Sequence, residues 1–167
     1  MKSRPRDPFY IYRYPFEGVK SELRGIVVGN LEGPLTDQPI IPFPDKDEPC
    51  YFAQPRRFVE ALKQGGFDVM TLANNHIKDC GPRGIMDTIA TLASAGIAPV
   101  GAGETAAEAG NSRIIMENGI RIAFFAWNLV PPESVWAGPE TSGAAHATPR
   151  EMISAIRAIR QRCEAVV

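Results

Sequence analysis

Short β-branched runs alternate with amphipathic segments along this chain, and that alternation restricts its architecture more than any other feature. Gly25-Ile26-Val27-Val28 is an apolar run ending at Gly29-Asn30, as expected of a buried strand. Residues 34–55 then hold prolines at 34, 39, 42, 44, 49 and 55. Proline supplies no ladder donor and restricts its predecessor, so this stretch is expected to be an irregular loop. A helix follows Pro55, with Phe58, Val59 and Leu62 on one face and Gly65-Gly66 as its stop. Residues 67–73 read as the next strand. A second helix opens at Pro82, carries Ile85, Ile89 and Leu92 on one face, and ends at Gly96. Residues 97–100 form a further short strand.

The second part of the chain repeats the logic with a hairpin inserted. Residues 112–117 and 120–127 flank Asn118-Gly119, the strongest short hairpin signal. A loop rich in Pro, Gly and Ala leads to a helix expected over 149–163, with Met152, Ile156, Ile159 and Cys163 along its apolar face. Arg150, Arg157, Arg160 and Arg162 form its solvated face. Ala165-Val166-Val167 opens another buried strand, and the chain is expected to stop inside it. This order predicts an α/β layered domain with a mostly parallel sheet and one β-hairpin.

A chain of 167 residues suits one domain with a real core. Its net charge of −1 gives no electrostatic case for nucleic acid or an anionic membrane. The apolar runs are too short to span a bilayer, and the basic N-terminus lacks the apolar core of a secretory signal. Cys50, Cys80 and Cys163 are odd in number and widely spaced, which suggests reduced thiols and leans toward a cytoplasmic location.

In parallel α/β sheets the ligand site lies where loops converge at the carboxyl ends of strands. Two such ends carry polar chemistry, Gly29-Asn30-Leu31-Glu32 and Asn74-Asn75-His76, and sequential strands usually lie side by side, so the two tips are expected to meet. Glu32 offers a carboxylate for a divalent metal, Asn30 and Asn75 offer carbonyl oxygens, and His76 offers an imidazole as ligand, acid or base. Turn and cap roles for the asparagines, with a structural histidine, would account for the triplet taken alone.

Three blocks, VVGNLEGPLT (27–36), GFDVMTLANNHIKDCG (66–81) and AGIAPVGAGET (95–105), resemble the CapA family of bacterial capsule and poly-γ-glutamate synthesis proteins, within the calcineurin-like metallophosphatase superfamily. The resemblance covers 15–167, with 1–14 as an N-terminal extension. It implies a layered α/β sandwich of the metallophosphatase type, with two divalent ions of the Mn, Zn or Fe type at strand ends. It implies that Glu32 and Asn75 are metal ligands, and that His76 contacts the scissile phosphate. Asn30 falls at the position of a bridging aspartate, so Asn30 and Glu32 compete for the bridging role. Asn74 and Asp79 match motif positions in supporting or turn roles, and Asp79 could simply order the turn into the helix at Pro82.

The family's opening Gly-Asp strand and its later His-Trp-Gly and Gly-His-His-Pro-His blocks do not occur in this sequence. The chain is therefore expected to be a partial copy that binds metal weakly or not at all alone. Two function classes follow: a metallophosphoesterase-like enzyme once completed, or a non-catalytic module working in a capsule-synthesis complex or with a companion chain. Family members often sit at the outer face of the membrane. His146 reads as a loop histidine and Cys80 as buried and structural. Gly101-Ala102-Gly103-Glu104-Thr105-Ala106 fits a dinucleotide fingerprint in form only, because Pro99 interrupts the strand before it and no ribose-binding acid closes the next parallel strand; its glycines serve tight turning.

Overall fold

The structure, a computed structural model, describes residues 15–42, 45 and 50–167. Its centre is a three-stranded parallel sheet, β1 (Val28–Asn30), β2 (Val69–Thr71) and β3 (Ala98–Val100), in that spatial order. A loop, a 3₁₀ turn at Arg56–Phe58 and helix α1 (Val59–Gly65) connect β1 to β2, and helix α2 (Gly81–Ser94) connects β2 to β3. Gly66 and Gly96 both adopt φ of 79°, the left-handed conformation that lets the chain leave each helix without a Cβ penalty.

The pleat separates two cores. Met70 joins Leu31, Leu35, Leu62, Leu72, Ile85, Leu92 and Ile97 on the helix side. Its neighbour Val69 points to the other side, against Val100 and Phe124. The strand expected to be buried at 25–28 is corrected on one point. β1 starts at Val28, lies at the sheet edge, and leaves Val28 42% exposed while Val27 is 8% exposed. Among the described residues β1 pairs on one side only, so it buries one edge rather than two.

The hairpin forms as expected from β5 (Arg113–Glu117) and β6 (Ile120–Phe124), with positive φ at Asn118 and Gly119 as a tight hairpin turn requires. The expected 67–73 and 112–127 strands are trimmed to these spans. Two strands lay hidden in segments read as loop: β4 (Ala102–Gly103) pairs antiparallel with β7 (Gly143–Ala144), with the short helix α3 (Ala106–Ala109) following β4. The glycines there allow close approach as well as turning. A Cβ on Gly103 would lie 2.5 Å from the Ala109 nitrogen, and one on Gly101 would lie 2.8 Å from both Ala73 Cβ and Ala126 Cβ.

Helix α4 spans Pro149–Ile159, ending before Cys163, although Ile159 and Cys163 still pack together against Ala123. Thr148 and Glu151 form a reciprocal capping box at its start. The arginines at 150, 157, 160 and 162 are exposed, as expected of the outer face. β8 (Ala165–Val166) adds to the hairpin parallel to β6. The outcome is an α/β fold with a parallel central sheet and small flanking sheets.

Besides its backbone ladder to β6, the start of β8 is tied by a side-chain pair. Arg121 donates its backbone N–H to Glu164 Oε2 (2.7 Å) and its guanidinium Nη2 to Oε1 (2.9 Å), and Glu164 N–H returns a bond to the Arg121 carbonyl (2.9 Å). The Arg121 side-chain hydrogen bonds, then its backbone bond, hold the Glu164 carboxyl down from the usual 4.5 to about 2. A lowered folded-state pKa favours folding above the unfolded value and loses that contribution as pH falls through the folded value. Urea midpoints measured from pH 5 to pH 2 should therefore fall less steeply in Glu164→Gln than in the unmodified chain; equal slopes would exclude the pair as an acid-labile tie.

Candidate functional site

Parallel pairing in the register Asn30↔Thr71 brings the carboxyl ends of β1 and β2 out side by side. The Asn30 carbonyl Oδ1 accepts from Thr71 Oγ1 (3.3 Å) and from Asn74 Nδ2 (3.2 Å). Asn74 Nδ2 also donates to the Leu31 carbonyl (2.8 Å), and Asn74 Oδ1 accepts the His76 N–H (3.1 Å). The two polar tips do meet, and buried Asn74 is the crosspiece between them. Exposed Glu32 leans back on the cluster by accepting a short hydrogen bond from Asn30 Nδ2.

His76 is buried in the turn after Asn74. Its Nδ1 donates to Asp79 Oδ2 (2.8 Å), and the same carboxylate oxygen accepts the Phe52 N–H (2.7 Å). Because a carboxylate only accepts, this pairing puts the proton on Nδ1 and makes Nε2 the basic nitrogen. The Phe52 ring packs edge-on against the imidazole with centroids 4.4 Å apart. The Asp79 carboxylate thus meets the His76 ring and the Phe52 amide at the turn that leads into α2. Cys80 holds the N-cap position of α2, and no side chain caps it.

The proline-rich loop that brings Phe52 here is irregular among its described residues, yet firmly pinned. Leu35 N–H donates to Thr88 Oγ1 (2.8 Å), Thr36 Oγ1 to Asp87 Oδ2 (2.6 Å), and Ile41 N–H to the Asp79 carbonyl (2.8 Å). The Thr36 hydroxyl, with Arg56 beside it, holds the Asp87 carboxyl below its usual range. Phe52 is a site residue that sequence reasoning missed. Its role depends on a loop path that no periodicity records.

The remaining candidates fall unevenly. Asn75 is half-buried, and its amide makes no hydrogen bond to another described residue, so both its atoms remain available to a ligand. Asn30 is less suited to a metal, because its carbonyl already accepts two protein donors. Among the described residues no group of three His, Cys, Asp or Glu side chains converges in metal-binding distance. The oxygen donors of Glu32 and Asn75 are too few among the described residues to fit the two-metal centre that the resemblance implies. His146 lies elsewhere, stacked on Trp136 at 3.6 Å with Nδ1 at 2.9 Å from the Asn128 carbonyl. Cys80 is 1% exposed, and burial, then the Asp79 charge, pushes its thiol upward, away from the reactive thiolate.

The histidine–carboxylate pair of this α/β fold thus lies at the carboxyl edge of the parallel sheet, where such folds commonly bind ligands. The family model described as "Bacterial capsule synthesis protein PGA_cap" matches residues 1–167, and the chain belongs to that family. It is 29% identical over 147 residues to the capsule biosynthesis protein CapA of Bacillus anthracis, covering 88% of this chain and 35% of that protein. It is 30% identical over 142 residues to the PGA biosynthesis protein CapA of Bacillus subtilis (strain 168), covering 84% of this chain and 37% of that one. A 73-residue segment is 44% identical to a probable polyglutamine synthesis accessory protein of Mycobacterium tuberculosis, covering 44% of this chain and 19% of that one. The matched region thus spans little more than a third of the Bacillus relatives' length. Among the described residues no helix is long and apolar enough to cross a membrane.

Replacing Asp79 with alanine removes the acceptor of the buried His76 Nδ1–H and of the part-buried Phe52 N–H. At about 1–3 kcal/mol per unpaired buried group, Asp79→Ala should destabilise the chain by roughly 2–4 kcal/mol in urea titration. A stability within about 0.5 kcal/mol of the unmodified chain, the range of ordinary surface changes, would show that the carboxylate does not organise this site.

Proposed function

We propose that this chain is a CapA-like component of capsule or poly-γ-glutamate synthesis, and that its strand-end cluster is a phosphoesterase-like site of which it carries one part. The observation that carries this reading is the buried His76–Asp79 pair, set where Asn74 ties the ends of β1 and β2 together. The relatives' names, capsule and PGA biosynthesis proteins among them, support the biological setting. The α/β layering is compatible with a metallophosphatase-type sandwich.

Each residue then has a physical role. Asn30 and Asn74 fix the spacing of the two tips, and Asp79 holds the imidazole in one tautomer and orientation. Phe52 packs edge-on against one side of the ring. His76 Nε2 takes a proton in the neutral form; in the protonated form it donates a hydrogen bond to a phosphoryl oxygen or protonates a leaving oxygen. A divalent ion, when bound, would polarise the phosphoryl oxygen as a Lewis acid. Glu32 and Asn75 are the residues that would face it, and the rest of its shell has to come from another segment or a companion chain.

The incomplete donor set also supports a second reading, a non-catalytic module within a polymer-synthesis complex. Turnover of an aryl phosphate by the full-length protein separates the two. Under the first reading His76→Ala should lower turnover by roughly 10²–10⁴-fold with its circular dichroism unchanged. Turnover that survives His76→Ala would remove His76 from the mechanism. Calorimetric titration of the 167-residue chain with Mn²⁺ checks the donor count: two equivalents bound with Kd near about 1 μM would contradict a partial site.

A further inference from the structure

Two residues beyond His76 the chain enters a second polar feature, a cleft of about 410 Å³ beside the start of α2. That volume lies within the roughly 300–1,000 Å³ of small-molecule sites. Lys78 and Arg83 line it from the turn and the helix, Glu104 from the β4–α3 junction, and Glu140, Thr141 and Ser142 from the segment entering β7. Its walls are ordered: Gly138 N–H donates to the Thr141 carbonyl (2.9 Å) and to Thr141 Oγ1 (3.0 Å), while Ala106 N–H donates to the Gly138 carbonyl (2.7 Å).

Charges of both signs border this cleft without neutralising one another. Lys78 Nζ is anchored on the Ser134 carbonyl at 2.8 Å. Among the described residues, the side chains of Arg83, Glu104 and Glu140 make no ion pair or hydrogen bond. Ser142 is 7% exposed, and its Oγ has no hydrogen-bond partner among the described residues. A buried hydroxyl in that condition is costly unless something completes it.

We propose that this cleft binds the zwitterionic head of an α-amino acid, its carboxylate toward Lys78 and Arg83 and its ammonium toward Glu104 and Glu140, over the floor formed by Ser142. Burial lowers the Lys78 ammonium below its usual range, with the Asp45 charge opposing, and a carboxylate arriving in the cleft would offset that burial. Two sources share this chemistry. One is a free amino acid. The other is the amino-terminal residue of a γ-linked glutamyl chain, which keeps both charges where interior residues keep only the carboxylate. The glutamyl source rests on the capsule reading above, whereas the charge pairing does not.

The test is titration of the 167-residue chain, followed by heteronuclear NMR, with glutamate, a γ-glutamyl trimer, the N-acetylated trimer and glutarate. Glutamate or the free trimer should saturate, and acetylation or loss of the amine should weaken binding by roughly two- to fivefold, the scale of one exposed charge pair. Arg83→Ala should weaken all ligands, whereas Glu140→Gln should weaken only those with a free amine; both positions are exposed, so the fold should persist. A trimer binding roughly tenfold tighter than glutamate points to the polymer end, and equal affinities point to the free amino acid. Equal binding of acetylated and free trimer, or no ligand saturating below roughly 10 mM, would overturn the proposal. His76→Ala should leave these affinities unchanged. Their loss in that variant would make the cleft part of the strand-end site and overturn a separate subsite. Loss of phosphate turnover without loss of binding, or the reverse, separates this inference from the reading it extends.

Discussion

A carboxylate with no solvent exposure, Asp79, is the contact on which the arrangement of this site depends. An ionised group in a protein interior is tolerated only where hydrogen bonds replace its water. Asp79 finds them in the His76 ring and the Phe52 amide, while its own carbonyl accepts from Ile41. Those partners come from the turn after β2 and from both described arms of the proline-rich loop. One side chain therefore sets the histidine's tautomer, folds the loop over it, and fixes the chain as it enters α2.

The strands themselves are short, three residues each in the central sheet, so backbone pairing alone gives their tips little rigidity. Side chains supply the rest. Asn74 bridges Asn30, the Leu31 carbonyl and the His76 amide, and Thr71 adds a second donor to Asn30. This stiffening has a consequence for metal chemistry, because the bonds that lock Asn30 in place also occupy its carbonyl. The two amides are thereby unequal: the Asn30 carbonyl already accepts two protein donors, while the Asn75 amide makes no hydrogen bond to another described residue.

Glycine-rich and alanine-rich segments show a similar division of labour. A side chain at Gly103 would collide with Glu108 and Ala109, and one at Gly143 with the backbone of residues 135–137, while the β4–β7 pair they belong to borders the charged cleft. Two-residue strands of glycine and alanine have no hydrophobic alternation, so pattern reading assigns them to loop. The capping box at Thr148 and Glu151, by contrast, is a purely local Thr-Pro-Arg-Glu motif that periodicity does not register, and it marks the start of α4 more sharply than proline alone.

By itself the sequence determined the α/β class, the order of the main elements, the Asn-Gly hairpin and the convergence of the Asn30 and Asn74 tips. Each of these follows from local periodicity, turn chemistry or the side-by-side placement of sequential strands. Only the tertiary structure decided that β1 pairs on one side only among the described residues, that Phe52 packs on His76, and that the Asp79 carboxylate meets the histidine ring as well as the loop over it. It alone gathered Lys78, Arg83, Glu104 and Glu140 around one cleft. The physical reason is common to all of these. Burial and pairing between segments 20 to 60 residues apart depend on the path of loops, and loop paths are set by a few long-range hydrogen bonds that leave no periodic trace in the chain.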